Sequence, residues 1–301
     1  VRTLRAKGMA VKLIANGVAV QLLIGKEEFL SCNSAAELLT AYQPPDVLVT
    51  SMCSGGGVGR DLVPLLLGRT TIFALQGAWW GEHWKSWFDP YYRPHYLCVN
   101  DRLGQEIMKS AWPEFPEERI LITGYPALDR YANFDVAAAS TEVCQRLGLS
   151  AKQPAVLFAG QPLVGTGDAL SEVIQCLNKI GQPVYLIPRH HPRTAVDAPQ
   201  EIPQLEAPLA TFRAGSIVAD SSACDLPLLI AHAQVSISMN SSIHVDAAAL
   251  RRPNIAVLYP EVGMKIFRDA TGGNMNEFPL VEMGCSAKAN NRAELQQLLE
   301  R

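Results

Sequence analysis

The sequence predicts an α/β fold built from two doubly wound domains with mainly parallel sheets. The chain of 301 residues exceeds the usual size of a single hydrophobic core. Continuous apolar runs at 46–50 and 155–159 are typical of strands buried on both faces of a parallel sheet. In both halves, such runs alternate with polar or glycine-rich loops and helical segments. We therefore expect one domain over residues 1–135 and a second over 136–301.

Composition narrows the class of protein. With 48% hydrophobic and 18% charged residues, the chain can bury two cores. A net charge of −3 and a pI near 6.1 give no electrostatic footprint for nucleic acid, so we expect no nucleic-acid partner. Seven scattered cysteines without a Cys-x-x-Cys pair indicate a reducing compartment and no structural zinc. No apolar run approaches the roughly 18 residues that span a bilayer, which predicts a cytoplasmic protein with membrane association left open.

The first half is expected to open on an amphipathic helix over 2–16, ended by Gly17, and a buried strand over 18–24. A helix before the first strand is unusual for this fold class, so we expect an opening strand upstream. A glycine run at 54–59 then separates the strand at 46–50 from a helix. It lets backbone approach a ligand but lacks the spacing of a dinucleotide fingerprint, and a tight turn is the alternative.

An aromatic cluster follows at 76–96, with Trp79, Trp80, Trp84 and Trp87 among its members. The rings suit three roles: ordinary core packing, stacking on sugar rings, or peripheral membrane contact through the segment Trp79 to Tyr92. An acid and an imidazole lie inside the cluster, near the expected carboxyl edge of the sheet. These two residues are candidate catalytic acid–base groups: Glu82 and His83.

The stretch 240–247 has the strongest signature in the chain, because an apolar strand over 233–239 ends abruptly in Asn240 and a helical segment follows. Ser241 and Ser242 would lie at unpaired backbone N–H groups, where a phosphate is favoured. Asp246 lies four residues after Ser242, so one helix face would carry a hydroxyl and a carboxylate for a sugar diol. Alternatively, Asn240 or Ser241 is only an N-cap and Asp246 only a first-turn charge.

Three other loops of the second half supply candidate binding residues. A loop over 160–167 follows the strand 155–159 and begins with Gly160 and Gln161. The strand over 184–187 leads into a segment with two arginines and two histidines, where Arg189 and His191 suit phosphate, although a solvated loop is the alternative. Beyond the strand 254–259, Tyr259 or Glu261 would border a donor base.

Three segments carry a family resemblance: 122–129 (ITGYPALD), 189–192 (RHHP) and 240–247 (NSSIHVDA). They resemble GT-B-fold glycosyltransferases and the related UDP-N-acetylglucosamine 2-epimerases. The resemblance implies two facing Rossmann-like domains, with nucleotide phosphate at Ser241 and Ser242 and the ribose diol at Asp246. The histidine-proline and serine-serine pairing is also similar to bacterial sialyltransferases, whose donor is CMP-linked.

One departure from the resemblance bears on the activity. Where the epimerases carry acids after two strands of the first domain, this chain has Met52 and Gln76. The sequence therefore favours metal-independent glycosyl transfer from a nucleotide-sugar substrate to a glycan or lipid-linked acceptor, with His83 or Glu82 as the base and no cofactor. The alternatives are a nucleotide-sugar epimerase or hydrolase, and a non-catalytic sugar- or nucleotide-binding protein.

Overall fold

The computed structural model describes residues 2–52, 57–79, 85–87, 89–259, 264–265, 268–269 and 277–301. The chain divides into two compact units, Val1–Gly124 and Tyr125–Arg301. The division lies before the expected boundary at residue 135. The reason is that the 3-10 helix Pro126–Tyr131 belongs to the second unit, where Tyr131 packs into a buried core with Val143 and Leu229.

The described residues of the first unit form a central parallel sheet of four strands in the order β3-β4-β5-β6. These strands are β3 Val47–Met52, β4 Thr71–Gln76, β5 Tyr96–Val99 and β6 Ile120–Ile122. Helices α3 Ala35–Ala41, α4 Gly57–Leu66 and α5 Arg102–Ala111 pack against one face of this sheet. The side chains of Ser34 and Asp101 cap α3 and α5 by accepting from backbone N–H groups of the first turn.

The two buried clusters of this unit lie on one face of the sheet. Leu48 and Ile72 face α3 and α4, and Leu97 and Ile120 face Met108 and Trp112. The expectation that the strand over 46–50 is buried on both faces is wrong, because alternation along β3 sends Val49 to the opposite face, where 52% of its surface is exposed. Among the described residues, this opposite face carries no buried hydrophobic cluster.

The first thirty residues differ from the sequence expectation. Helix α1 covers only Arg2–Ala6, because the chain turns at Gly8 with a φ of 80°. Strand β1, Ile14–Ala15, pairs in parallel with β2, Leu30–Ser31. The expected strand over 18–24 is wrong, since Val18–Leu23 forms helix α2. Local bonds such as Val20 N to Gly17 O outweigh the β propensity of its valines.

The described residues of the second unit form a six-stranded parallel sheet in the order β12-β11-β10-β7-β8-β9. Its strands are β7 Ala155–Ala159, β8 Val184–Arg189, β9 Gly215–Ile217, β10 Val235–Ser238, β11 Asn254–Val257 and β12 Ala287–Ala289. The order reverses between β7 and β10, the pattern of a Rossmann sheet. The strands at 215–217 and 287–289 were not expected, because both are short and only partly apolar.

Helices pack on both faces of this sheet, as a doubly wound fold requires. Phe158 of β7 and Ile237 of β10 face one buried cluster, and Leu157 of β7 faces another. The helices of the unit are α6 Val136–Leu147, α7 Thr166–Ile180, α8 Thr194–Asp197, α9 Glu201–Leu209, α10 Leu226–His232, α11 Ile243–Ala249, α12 Pro279–Glu282 and α13 Arg292–Leu299.

Candidate functional site

The loops after β7 and β10 meet at the point where the strand order reverses. In open parallel α/β sheets, ligands bind outside the carboxyl ends of the strands at this point, because the adjacent loops diverge there and leave a crevice. The loop after β7 begins with Gly160 and Gln161, and the loop after β10 contains Asn240. The structure therefore brings three of the residues selected from the sequence to one edge of one sheet.

Hydrogen bonds hold these two loops together. The side chain of Gln161 donates from Nε2 to the carbonyl oxygen of Asn240 at 3.1 Å. Two residues earlier in each segment, at the ends of the strands, Ser238 donates from Oγ to the carbonyl oxygen of Ala159 at 2.7 Å. Oε1 of Gln161 is buried and has no donor among the described residues. A buried amide oxygen of this kind is costly, so a donor supplied by a ligand would be favourable there if the loop opened.

Glycine at position 160 suits the close approach of the end of β8. Its backbone N–H donates to the carbonyl oxygen of Arg189 at 2.8 Å. A Cβ atom at this position would lie 3.3 Å from the same oxygen and 3.4 Å from Cγ2 of Thr166. Oγ1 of Thr166 lies within hydrogen-bond distance of the carbonyl oxygens of Leu163, at 2.8 Å, and Gln161, at 3.1 Å, which share its one hydrogen. The loop that precedes α7 is therefore fixed from both ends.

The two serines after Asn240 lie at the start of α11. Ser242 occupies the N-cap position, but its exposed side chain accepts no capping hydrogen bond. Oγ of Ser241 accepts a long bond of 3.4 Å from the N–H of Ile243. The helix begins at Ile243 and has seven residues, which gives a weaker anion-attracting terminus than a long helix. Neither serine is a well-formed N-cap.

Asp246 already has partners in the structure. Its Oδ1 accepts from Nη2 of Arg130 at 2.7 Å and from the hydroxyl of Tyr131 at 2.9 Å. Burial and the negative charge of Asp246 raise the pKa of Tyr131, so this phenol stays protonated and serves as a donor. The carboxylate faces the end of the 3-10 helix that begins the second unit. Its assignment to a ribose diol stays a prediction.

At the end of β8 and just beyond it, the side chains of Arg189 and His191 make hydrogen bonds to backbone groups of the same unit. Arg189 donates from Nη1 to the carbonyl oxygen of Cys224 at 2.8 Å, which links the end of β8 to the segment after β9. Nδ1 of His191 accepts from the backbone N–H of Arg193 at 3.1 Å. Burial, and then the charge of Arg193, lower the pKa of His191, so its ring is neutral at pH 7 and presents Nε2–H as a donor. Phosphate binding by these two side chains stays a prediction.

Some candidate residues lie outside the described residues. They are Glu82, His83 and Glu261, together with Trp80 and Trp84 of the aromatic cluster. The described tryptophans of that cluster are core residues: Trp87 is fully buried, and Trp79 is buried and donates from Nε1 to Oδ2 of Asp101 at 2.8 Å. Tyr91 is exposed. Membrane contact through this segment stays a prediction.

The residues Met52 and Gln76, which replace the acids of the epimerases, are both buried at the carboxyl ends of β3 and β4. Oε1 of Gln76 accepts from the backbone N–H of Asn100 at 3.0 Å. A Cβ on Gly104 would lie 2.3 Å from the same oxygen. Gln76 therefore has a packing role between β5 and α5.

Sequence reasoning missed several residues around the crevice: Arg130, Tyr131, Thr166, Glu201, Cys224 and His244. Glu201 is fully buried, and its Oε2 lies 3.3 Å from the N–H of Gly167, in the first turn of α7. Nothing in the local sequence marks it, since a glutamate beside Gln200 is typical of a surface helix. Thr166 and His244 lay within segments already selected, and for His244 its position between apolar neighbours was the available signal.

In the part of the chain that the structure describes, no group of three or more His, Cys, Asp or Glu residues is placed to hold a metal ion. A cavity of about 290 Å³ lies beyond the ends of β11 and β12, lined in part by Tyr259, Glu277 and Lys288. Glu277 and Lys288 form an ion pair. No described helix combines the length and the apolar character needed to cross a bilayer.

Solved structures of low sequence identity share the fold. UDP-GlcNAc 2-epimerase from Methanocaldococcus jannaschii has a TM-score of 0.61 at 15% identity, with 100% of this chain and 87% of that chain covered. MurG from Acinetobacter baumannii has a TM-score of 0.57 at 13% identity, covering 99% and 84%. Anabaena Alr3699/HepE, solved in complex with UDP, has a TM-score of 0.52 at 10% identity, covering 95% and 81%.

The wall teichoic acid polymerase TagF matches at 20% identity and a TM-score of 0.43, over 69% of this chain and 49% of that chain. This chain thus spans about half the length of the polymerase structure. No protein family model and no curated protein matches the sequence. The structural similarities confirm the predicted fold of two Rossmann-like α/β domains, which is the fold of the GT-B glycosyltransferases and the 2-epimerases.

Proposed function

We propose that this chain, which has the GT-B fold, is a nucleotide-sugar-dependent glycosyltransferase that binds its donor nucleotide on the second unit. The carrying observation is the reversal of strand order between β7 and β10, with Gly160, Gln161 and Asn240 at the two strand ends. Nucleotides bind at such a reversal, because backbone N–H groups of the flanking loops converge there. One of the structures that share the fold contains UDP.

In this proposal the phosphates of the donor lie against the loops that begin at Gly160 and Asn240. The hydroxyls of Ser241 and Ser242 are available to donate, since neither forms a strong cap. Arg189 and His191 extend the same edge on the β8 side. Their N–H groups would stabilise the negative charge that develops on the leaving phosphate, which is the largest part of catalysis in transfers of this type.

The reaction breaks the bond between the anomeric carbon of the donor and its phosphate oxygen. A hydroxyl of a glycan or lipid-linked acceptor forms the new bond to that carbon, and its proton passes to a base. We assign the base to His83 or Glu82 of the first unit, on sequence grounds alone. Because the proposal gives charge stabilisation to N–H and O–H donors, we expect activity to survive chelation by EDTA.

Asp246 is assigned to the ribose diol. Both of its hydrogen bonds in the structure fall on Oδ1. A carboxylate has about four lone-pair sites, so Oδ2 can accept from a ribose hydroxyl while Oδ1 keeps Arg130 and Tyr131. The two contacts then orient the carboxylate for the sugar.

The experiment is incubation of the purified chain with radiolabelled UDP- and CMP-sugars, with and without an acceptor extract, in the presence and absence of EDTA. Label transferred to the extract supports the proposal. An epimerised sugar, or free nucleotide formed without acceptor, would instead establish the epimerase or hydrolase. Nucleotide binding in calorimetry without any turnover would indicate a binding protein that has no catalytic activity.

A matched pair of variants tests the proposed location of the nucleotide. Gly160→Ala places a Cβ 3.3 Å from the Arg189 carbonyl oxygen, and Gly77→Ala places one 3.4 Å from the Met52 carbonyl oxygen in the first unit. The two substitutions add the same group against the same kind of atom. We expect UDP or CMP to bind at least about tenfold more weakly to Gly160→Ala, equal to about 1.4 kcal/mol. Equal losses in both variants would contradict the assigned location.

A further inference from the structure

The imidazole of His244 makes hydrogen bonds from both edges inside the core of the second unit. The residue has no exposed surface. Nε2 lies 2.8 Å from the carbonyl oxygen of Met239, and Nδ1 lies 2.8 Å from Oδ1 of Asn254 and 3.2 Å from Oγ of Ser286. The ring of Phe278 packs edge-on against it at 5.8 Å. No charged side chain of the described residues acts on the ring.

The contact with Met239 occurs at the junction of strand and loop. Strand β10 ends at Ser238, so Met239 is the first residue beyond it, and Asn240 follows. A carbonyl oxygen only accepts hydrogen bonds, so the bond to Met239 forms when Nε2 carries the ring hydrogen. Oδ1 of Asn254 is also an acceptor and a neutral imidazole has one N–H, so Nδ1 then accepts from the hydroxyl of Ser286 and makes no hydrogen bond to Asn254. Met239 is itself buried, and its carbonyl would be costly to leave without a donor.

The opposite edge of the ring is anchored to a different part of the unit. Asn254 is the first residue of β11, and its Nδ2 donates to the carbonyl oxygen of Cys285 at 2.8 Å. This bond fixes the carboxamide that faces Nδ1. Ser286 follows Cys285 and offers a hydroxyl to the same nitrogen. The imidazole thus bonds to the end of β10 and to the segment before β12, and it lies against the start of β11.

We propose that His244 is a positioning residue for the crevice. Its Nε2–H holds the Met239 carbonyl and thereby sets the conformation of the loop Met239 to Ser242. This inference rests on the proposed function for its consequence, since the loop is where the donor nucleotide is assigned. His244 itself is buried beneath the loop and touches no ligand. Its contribution is to keep the loop in one conformation before the nucleotide arrives, which lowers the entropic cost of binding.

Two substitutions of His244 distinguish the contact made at Nε2 from the contact made at Nδ1. In His244→Gln the longer side chain carries its amide nitrogen at about the reach of Nε2, so it can still donate to Met239. In His244→Asn the shorter amide reaches only the position of Nδ1, so the Met239 carbonyl loses its donor. Hydrogen exchange of the amides from Asn240 to Val245 is the direct measurement, with urea unfolding as the control for global stability.

We expect exchange in this loop to be about tenfold faster in His244→Asn than in the wild type, and within about threefold of the wild type in His244→Gln, since tenfold corresponds to one lost hydrogen bond. UDP and CMP, used as probes, should bind about tenfold more weakly to His244→Asn only. Equal exchange in both variants would overturn the inference.

Two results keep this test separate from the test of function. If the wild type binds neither UDP nor CMP, the proposed function fails, and the exchange contrast alone decides whether His244 positions the loop. If either variant does not fold, nuclear magnetic resonance of histidine-labelled wild-type protein decides. A slowly exchanging Nε2–H signal for His244 supports the inference, and a ring that carries hydrogen on Nδ1 alone overturns it.

Discussion

Arg130 donates from Nη2 to Oδ1 of Asp246 across 2.7 Å, although 116 positions separate the two residues. The pair joins the 3-10 helix Pro126–Tyr131 to α11, the helix that follows the β10 loop. Tyr131 adds a second bond to the same oxygen. The start of the second unit and the assigned nucleotide edge are therefore mechanically linked, and a change at either one is expected to reach the other.

The Tyr131 hydroxyl should contribute more to stability than the Arg130 guanidinium. The Arg130 side chain is half exposed, so its ion pair contributes roughly 0–1 kcal/mol. The buried phenol donates to a carboxylate, and Tyr131→Phe should lower the free energy of unfolding by about 1.5 kcal/mol. Urea unfolding measures the free energy of unfolding of each variant. Tyr91→Phe, at an exposed tyrosine, should change it by less than about 0.5 kcal/mol, and an equal loss there would contradict the assignment.

Neighbouring residues of β3 provide a second stability prediction. Leu48 is 9% exposed and packs in the core, whereas Val49 on the opposite face is 52% exposed. Leu48→Ala should destabilise the protein by about 2–5 kcal/mol through lost contacts and a cavity. Val49→Thr keeps the β-branched shape and should cost less than about 0.5 kcal/mol. A cost for Val49→Thr close to that of Leu48→Ala would show that the second face of the sheet is covered.

Much of the fold could be predicted from local sequence. The burial of β3 on both faces is the wrong part of its prediction, since Val47 and Val49 are about half exposed. The existence of the strand depends on neighbours a few positions away, and the structure confirms it. The same holds for the strands that lead into Gly160 and Asn240. Because strand pairing joins distant residues, however, the order of the six strands, and therefore the reversal at β7 and β10, required the structure.

Other features could not be predicted because their partners are remote in sequence. The Asp246 carboxylate looks like a first-turn charge until Arg130 is placed beside it. Glu201 looks like a surface acid until the N–H of Gly167 is placed beside its carboxylate. The helix Val18–Leu23 shows the converse error, since its valines favour a strand but local backbone bonds decide otherwise.

Because His232 is buried, we expect the protein to lose stability in mild acid. Burial, and then the charge of Arg252, lower the pKa of this ring, whose Nδ1 lies 3.0 Å from Oγ of Ser140. Below the ordinary histidine pKa of about 6.5, the unfolded chain takes up a proton that the folded chain refuses. Stability contributed by the neutral ring is complete above pH 6.5 and falls as the pH drops toward the folded pKa.

The size of this effect has an upper limit of about 1.4 kcal/mol for each pH unit, the value for one proton. His232→Gln removes the titrating group, so its free energy of unfolding should fall less steeply than that of the wild type between about pH 6.5 and 5. Parallel urea titrations across this range make the comparison. Identical slopes would mean that His232 accepts protons equally well in the folded and unfolded states.

Asp246 offers the sharpest test of the proposed function, because its structural and ligand-binding roles predict different losses. As a structural acceptor only, Asp246→Asn weakens the bonds from Arg130 and Tyr131 and should lower the free energy of unfolding by roughly 1–2 kcal/mol, with nucleotide affinity unchanged. As a ribose acceptor it should also lose a charge-assisted bond of about 1.5–3 kcal/mol, so UDP or CMP affinity should fall about tenfold to a hundredfold.

The 2′-deoxy nucleotide separates the ribose contact from indirect effects of the loosened 3-10 helix. Wild type should prefer the ribonucleotide, and Asp246→Asn should lose most of that preference, since the asparagine side chain no longer offers a charged acceptor to the hydroxyl. Tyr131→Phe is the matched control, because it weakens the same structural contact while the carboxylate remains. It should keep the preference. If Asp246→Asn and wild type discriminate equally between the two nucleotides in calorimetry, Asp246 serves only to fasten Arg130 and Tyr131 to α11.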